Sequence, residues 1–224
     1  VAVWLMAHDV DFYQTSGGMG EWFLLSAACQ KGVPDRYFPL LLERGHSPSV
    51  QHPHRGSTLA HELAKNGKTE LLKEACVAGC NPWQVDARGF LPLHLAAMNG
   101  DLRTVDFLLQ DVRVSSLAAA TNHGATALHL SSGNGHTAVS RRLIHAGHAL
   151  DLRDADGRTA LIVAAKEGHA ETVLVLMEHG ANTDAVGKDS LSALDWAMKS
   201  EHRDVVNILG CAGGQGPNDG TNDP

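Results

Sequence analysis

Residues 157–169 read GRTALIVAAKEGH, and this stretch decides the fold because the sequence repeats it. Residues 124–136 read GATALHLSSGNGH in the same register, with a serine pair in place of the alanine pair. Residues 89–101 read GFLPLHLAAMNGD, with Leu91 where the threonine stands in the other two. Such self-similarity is typical of a chain built from stacked structural units.

The glycine near the end of each stretch sets the period. Glycine occupies this position at 32, 67, 100, 135 and 168, and Glu201 follows in the same series. The spacings are 35, 33, 35, 33 and 33 residues. Thr-(Pro/Ala)-Leu-His, Ala-Ala, Gly-His and Leu-Leu-x-x-Gly-Ala recur in this order over residues 20–213.

These motifs and this period resemble the ankyrin repeat. The resemblance implies an all-α fold, an ankyrin-repeat solenoid of antiparallel helix pairs linked by β-hairpin-like loops. Residues 1–213 are expected to form the repeat domain, with residues 1–12 as a partial repeat and 214–224 as a flexible tail. The repeats are expected roughly at 20–52, 53–85, 86–120, 121–153, 154–186 and 187–213. Because the chain starts inside a repeat, we interpret it as a piece of a longer polypeptide or one that begins with a truncated capping helix.

The repeated residues are suited to short helices with a tightly packed core. The threonine hydroxyl is expected to cap the first helix, and proline or alanine suits its first turn. Leucines and the alanine pair recur at helical spacing, and small side chains let neighbouring helices approach closely. A core can therefore form although only 5% of the residues are aromatic and 43% are apolar.

Composition argues against several classes of partner. The formal net charge is −7 and no basic run is present, which disfavours nucleic-acid binding. No apolar stretch approaches the roughly 20 residues of a membrane-spanning helix, so no membrane insertion is expected. The four cysteines lack a disulfide pattern, which favours a reducing compartment, the cytoplasm or nucleus.

The fourteen histidines raise the question of a metal site. His52 with His54, and His145 with His148, are the candidate ligand pairs. The resemblance instead assigns six histidines to the repeat framework: His61, His94 and His129 bond to hairpin backbone, while His136, His169 and His202 begin second helices. We therefore predict no metal and no cofactor.

No pattern predicts an enzyme. Phosphate-loop, dinucleotide-binding and nucleophile-elbow motifs are missing. A catalytic thiol at one of the cysteines is the remaining alternative, but no cysteine, histidine and acid converge in the repeat pattern. Asp86, Asp154, Asp156 and Asp189 fall in hairpins, where Asx turns explain them.

The resemblance implies that a partner binds the hairpin tips and the exposed edge of the first helices. Arg88 and Phe90 are the expected anchors, because arginine and aromatic residues dominate interface energetics. The alternative for Phe90 is packing on its own hairpin, whereas Trp83 and Trp196 are expected in the core. The predicted partner-binding residues are Arg88, Phe90, Met98, Asn99, Asn122, His123, Asn134, Arg158, Lys166, Lys188, Asp189 and Leu191.

The segment 110–123 departs from the pattern because it makes its repeat two residues longer than the 33-residue period and lacks the helix-ending glycine. It is either a specificity feature or a tolerated insertion. Our leading hypothesis for the whole chain is a non-catalytic module that binds another protein as a monomeric domain of a longer chain. The alternative is a regulatory or substrate-recruiting region of a larger enzyme, channel or ubiquitin-ligase adaptor.

Overall fold

The computed structural model describes residues 18–110 and 117–213, and those residues form an all-α ankyrin-repeat fold. The predicted partial repeat at 1–12, the predicted tail at 214–224 and residues 111–116 of the irregular segment lie outside the described residues. The chain divides into two compact units, Val1–Ala127 and Leu128–Pro224.

The first unit holds three helix pairs. Its helices are α1 (Gly18–Ala28), α2 (Tyr37–Glu43), α3 (Leu59–Asn66), α4 (Thr69–Val77), α5 (Pro92–Asn99) and α6 (Leu102–Leu109). The first helices of successive pairs pack together, α1 on α3 and α3 on α5, and the second helix α4 packs on α6. Within this unit each pair therefore buries its apolar side on its neighbours in the sequence.

The second unit repeats this arrangement. Helix α7 (Ala127–Gly133) begins at the last residue of the first unit, and α8 (Thr137–His145), α9 (Ala160–Lys166), α10 (Ala170–Glu178), α11 (Ala193–Lys199) and α12 (Arg203–Gly213) follow. Helix α9 packs on α11, and α10 packs on both α8 and α12. Single antiparallel bridges, 51 with 58 and 186 with 192, give two of the connecting loops their hairpin character.

The helix starts use the predicted capping chemistry. The Thr159 hydroxyl accepts a hydrogen bond from the Ile162 N–H at 3.4 Å, and the Ser192 hydroxyl accepts one from the Asp195 N–H at 3.2 Å. At the start of α3 the Thr58 hydroxyl instead pairs with Nδ1 of His61 at 2.8 Å. These contacts satisfy polar groups that helix formation leaves without a partner in the first turn.

The core consists mainly of leucine, alanine and valine, as predicted, and Trp22, Phe38 and Ile162 are also buried. Both alanine pairs, Ala96 with Ala97 and Ala164 with Ala165, are fully buried. The buried serines that replace the pair in α7 remain satisfied, since the Ser131 hydroxyl lies 2.8 Å from the Ser140 hydroxyl. A buried polar group stabilises a core only when it is paired in this way.

The histidine of the Thr-Pro-Leu-His position bonds to the hairpin of the following repeat at His61 and His129, which confirms the prediction for these two residues. Nε2 of His61 lies 2.8 Å from the Phe90 carbonyl oxygen, and Nε2 of His129 lies 3.0 Å from that of Arg158. The main-chain N–H of Thr58 points at Nδ1 of His61 at 3.1 Å. Nδ1 therefore accepts, and Nε2 carries the proton that it donates to Phe90.

His94 donates to a carbonyl outside the hairpin, unlike His61 and His129. Its Nε2 donates to the carbonyl of Ala119 at 3.0 Å, outside the hairpin that begins at Thr121. Ala119 lies within the irregular segment 110–123, and this contact spans 25 residues where those of His61 and His129 span 29. The change costs no hydrogen bond, because the Leu91 N–H still donates to Nδ1 of His94 at 2.9 Å.

A second set of histidines bonds to the preceding repeat and not to the following one. Nε2 of His169 lies 3.0 Å from the Gly133 carbonyl oxygen, and Nε2 of His202 lies 3.0 Å from that of Lys166. Each imidazole thus joins the start of a second helix to the first helix of the preceding pair. In the second unit the pairs α7/α8 and α9/α10 are connected by two histidines, His129 and His169, whereas His202 connects the pairs α9/α10 and α11/α12.

In the second unit this contact adds a steric reason for glycine in the turn between helices, at Gly135 and Gly168. Gly168 has φ +80°, and a Cβ placed there would come within 2.6 Å of Nδ1 of His202. Glu201 occupies the equivalent turn with φ +60°, and the sequence contains no histidine after His202. A side chain is therefore tolerated sterically at 201, although its left-handed backbone remains strained.

Substitutions at these two turns are expected to act in opposite directions. Glu201→Gly relieves the backbone strain and should raise the free energy of unfolding by about 0.5–1 kcal/mol, measured by urea denaturation. Gly168→Ala adds both the left-handed backbone strain and the clash with His202, and should lower the free energy of unfolding by about 2 kcal/mol or more. Equal effects of the two substitutions would contradict this explanation of the turn.

Acid is expected to destabilise the fold through the buried histidines. Burial lowers the pKa of His61, His129 and His148, and hydrogen bonds to carbonyl oxygens only partly offset it. The folded state thus resists protonation that the unfolded chain accepts at about pH 6.5. Their contribution to stability is present above that pH, and decreases as the pH falls below it towards the folded-state pKa values.

The urea midpoint should therefore be constant from pH 8 to 7 and fall below pH 6.5. The loss amounts to at most about 1.4 kcal/mol per histidine for each pH unit. His61→Gln should lower stability at pH 8 and also flatten the decline. His123→Gln, at an exposed position, serves as the control and should keep the wild-type slope; an unchanged slope in His61→Gln would count against the assignment.

Candidate partner-binding surface

Main-chain hydrogen bonds connect successive hairpin tips. In the first unit the Ala87 N–H donates to the Arg55 carbonyl at 2.8 Å, and the Asn122 N–H donates to the Arg88 carbonyl at 2.9 Å. In the second unit the Lys188 N–H donates to the Asp156 carbonyl at 2.8 Å. The tips within each unit are thereby held at a fixed spacing, while their side chains stay available.

A buried carboxylate organises the tip at residues 86–90. One oxygen of Asp86 accepts from the N–H groups of Arg88 and Phe90, each at 2.9 Å, and the other accepts from the Arg88 guanidinium at 3.1 and 3.2 Å. Burial raises the pKa of Asp86, but these hydrogen bonds outweigh it and bring the pKa below its usual value. Asp86 is thus ionised at neutral pH and fixes the conformation of the tip.

Arg88 and Phe90 form a cation–π pair on this tip. The guanidinium carbon lies 4.7 Å from the centre of the Phe90 ring, whose edge-on neighbour is His94 at 5.9 Å. The Arg88 side chain is 65% exposed and Phe90 is half-buried. Phe90 therefore packs on its own hairpin and also presents part of its ring to solvent, which combines the two alternatives from the sequence.

Other predicted contact residues of the first unit also stabilise the framework. The Asn99 amide donates to the Lys65 carbonyl, and the Asn122 amide donates to the Ala87 carbonyl at 3.0 Å. Met98 is half-buried, and His123 is exposed. The amides are thus partly committed to neighbouring repeats.

Arginine is less available on the corresponding tip of the second unit. The Arg158 guanidinium lies between the carboxylates of Asp154 at 2.9 Å and Asp156 at 2.6 Å, and its side chain is 24% exposed. The Asn134 amide donates to the Leu130 carbonyl of its own helix at 2.8 Å. Both residues are held by local partners.

The next tip contains Lys188, Asp189 and Leu191. Lys188 and Asp189 are exposed, Leu191 is half-buried, and a carboxylate oxygen of Asp189 accepts from the Leu191 N–H at 3.1 Å. The side chain of Asp189 therefore closes an Asx turn, as Asp86 and Asp154 also do.

The sequence did not reveal a cationic cluster around Trp196. The ammonium groups of Lys166 and Lys199 lie 5.2 and 4.6 Å from the centre of the Trp196 ring, and Lys166 also lies 3.5 Å from Glu167. The expectation that Trp83 and Trp196 belong to the core is only partly right, since both are half-buried. Lysine above an indole face is a favourable pairing.

Three of the four cysteines are poorly suited to nucleophilic chemistry. Burial raises the pKa of Cys29 and Cys80, and raises that of Cys76 to about 11, so all three are protonated at neutral pH. In the described part of the chain no three His, Cys, Asp or Glu residues are arranged to hold a metal ion. Nor is any helix there long and apolar enough to cross a membrane.

The chain is similar to parts of several characterised proteins. It is 33% identical to human NF-kappa-B inhibitor alpha over 101 residues, which cover 43% of this chain and 32% of that protein. It is 33% identical to human neurogenic locus notch homolog protein 4 over 138 residues, 56% of this chain and 7% of that protein. Alpha-latrotoxin-Lhe1a of Latrodectus hesperus is 32% identical over 107 residues, 46% of this chain and 7% of the toxin. The matched region spans about a third of the first protein's length and less than a tenth of the others.

The family model described as ankyrin repeats (3 copies) matches residues 24–118, 60–154 and 128–219. Together these matches cover most of the sequence, and they coincide with the helix pairs and the histidine contacts described above. The chain belongs to the ankyrin-repeat family.

Proposed function

We propose that this chain binds another protein through its hairpin tips and the exposed edges of its first helices, without catalysis. The observation that carries the proposal is the Arg88–Phe90 pair, held in place by the buried carboxylate of Asp86. Arginine and aromatic side chains supply much of the energy at protein interfaces. Because Asp86 already fixes the tip, little conformational entropy is lost when a partner contacts it.

A second contact region is proposed in the second unit. Lys166, Lys199 and Trp196 combine two positive charges with an aromatic surface, and Lys188 lies exposed on the hairpin tip that precedes α11 in the same unit. A carboxylate-bearing partner segment suits this composition, since the ammonium groups can bind its oxygens while the indole packs on its apolar atoms. Met98, Asn99, Asn122, His123, Asn134, Arg158, Asp189 and Leu191 complete the proposed surface.

The relatives support the class of function and not the identity of the partner. NF-kappa-B inhibitor alpha is an inhibitor by name, which is consistent with a module that acts on a target without catalysis. We propose the cytoplasm or nucleus as the compartment, and a monomeric repeat domain of residues 1–213 with the six repeats given above. The four described cysteines are free thiols, which agrees with a reducing compartment.

A second candidate is a recruiting or regulatory region of a larger protein. It is favoured by the small share of the relatives that the matches cover, 7% in two of the three. In that case the tips recruit a substrate or regulator for chemistry located elsewhere in the polypeptide. Both candidates use the same surface.

Affinity capture from a cell lysate with quantitative mass spectrometry tests the surface. The test variant is Arg88→Gln with Phe90→Ala; charge reversal at 88 is avoided because it places a second carboxylate beside buried Asp86. Recovery of partners should fall about tenfold or more, since two hot-spot side chains are removed. Unchanged helicity and urea midpoint establish that the variant is folded.

The matched control changes one cation and one apolar residue on the second helices. Arg103→Gln with Val77→Ala alters exposed side chains of α6 and α4, and Val77 is 91% exposed. This variant should recover the same partners as the unmodified chain. If both double variants capture partners equally well, the tip assignment is wrong.

A further inference from the structure

Two histidines on the second helices of the second unit lie side by side. His145 is the last residue of α8, His179 directly follows α10, and these two helices pack together. The Nε2 atoms of the two rings are 3.4 Å apart. His145 is exposed and His179 is half-buried, so solvent reaches the pair.

The ring orientation of His179 leaves its Nε2 free of a proton. Nδ1 of His179 lies 2.8 Å from the Val175 carbonyl oxygen. A carbonyl only accepts hydrogen bonds, so Nδ1 carries the proton and Nε2 presents a lone pair towards His145. A backbone carbonyl that orients a histidine through its other nitrogen is the usual support of a metal ligand.

The spacing of the two nitrogens also fits a shared metal ion. Zinc binds imidazole nitrogen at roughly 2.0–2.1 Å in tetrahedral geometry, which places two such nitrogens about 3.3–3.4 Å apart. Without a metal the two nitrogens share a long hydrogen bond, in which Nε2 of His145 donates to Nε2 of His179. From this agreement we infer that His145 and His179 form a two-histidine site for a divalent transition metal of the zinc type.

Among the described residues the site has two protein ligands, since no group of three His, Cys, Asp or Glu residues there is arranged to hold a metal ion. Glu178, next to His179, lies 3.9 Å from Arg141, one turn before His145, so this carboxylate and this cation offset each other. Water completes the coordination of the metal. The bound ion joins the second helices of neighbouring repeats, away from the hairpin tips, and therefore stabilises the second unit without occupying the proposed binding surface.

Zinc titration of the chelator-treated chain tests the site, with calorimetry for stoichiometry and circular dichroism for the melting temperature. One zinc equivalent is expected, and zinc at tenfold its dissociation constant should raise Tm by about 3–6 °C. His145→Gln and His179→Gln should each lose both the zinc binding and the rise in Tm, because a single imidazole remains. Both rings lie at the surface, so both variants are expected to fold, which their metal-free spectra verify.

His123→Gln, an exposed histidine of the first unit, is the matched control and should bind zinc like the unmodified chain. Two results overturn the assignment: no zinc-dependent rise in Tm for the unmodified chain, or a rise of the same size in both His145→Gln and His179→Gln. Neither result affects the proposed partner surface, which is tested at different residues.

Discussion

Within each unit, the contact between neighbouring repeats depends on a neutral imidazole that donates to a carbonyl of the adjacent repeat. His61 shows the arrangement most completely, because Nδ1 accepts from its own helix start while Nε2 donates to Phe90. A charged ring in this buried position loses its hydration, and a proton on Nδ1 displaces the hydrogen bond that the Thr58 N–H donates there. Since no repeat can bury its apolar side alone, the stability of each unit rests on the neighbour contacts that these bonds align.

Because of the same contact, the main chain of each hairpin belongs to the framework, and its side chains can bind a partner. The Phe90 carbonyl is fixed by His61, and the main-chain groups of Ala87 and Arg88 are fixed by neighbouring tips. Backbone groups therefore set where a tip lies, and the side chains at 88 and 90 are left to determine what it binds. Asp86 connects the two roles, because one carboxylate bonds both the tip backbone and the Arg88 side chain.

Much of this architecture could be predicted from the sequence because the framework recurs at a fixed period. The histidine-to-hairpin bonds and the alanine-rich core follow from residues that repeat in phase. The cation–π pair at Arg88, the lysines around Trp196 and the pairing of His145 with His179 do not follow, since each occurs once. Proximity in the sequence pairs His145 with His148, but His148 is buried and bonds to the Ala149 carbonyl, whereas the actual neighbour of His145 lies 34 residues further along the chain.

Site-specific photo-crosslinking tests the central claim most directly, that partners contact the tips and not the second helices. A photoreactive phenylalanine analogue replaces Phe90 in one sample and Val77, exposed on α4, in the other. The account predicts that a captured partner crosslinks from position 90 and remains uncrosslinked from position 77. Crosslinking from position 77 alone would contradict it.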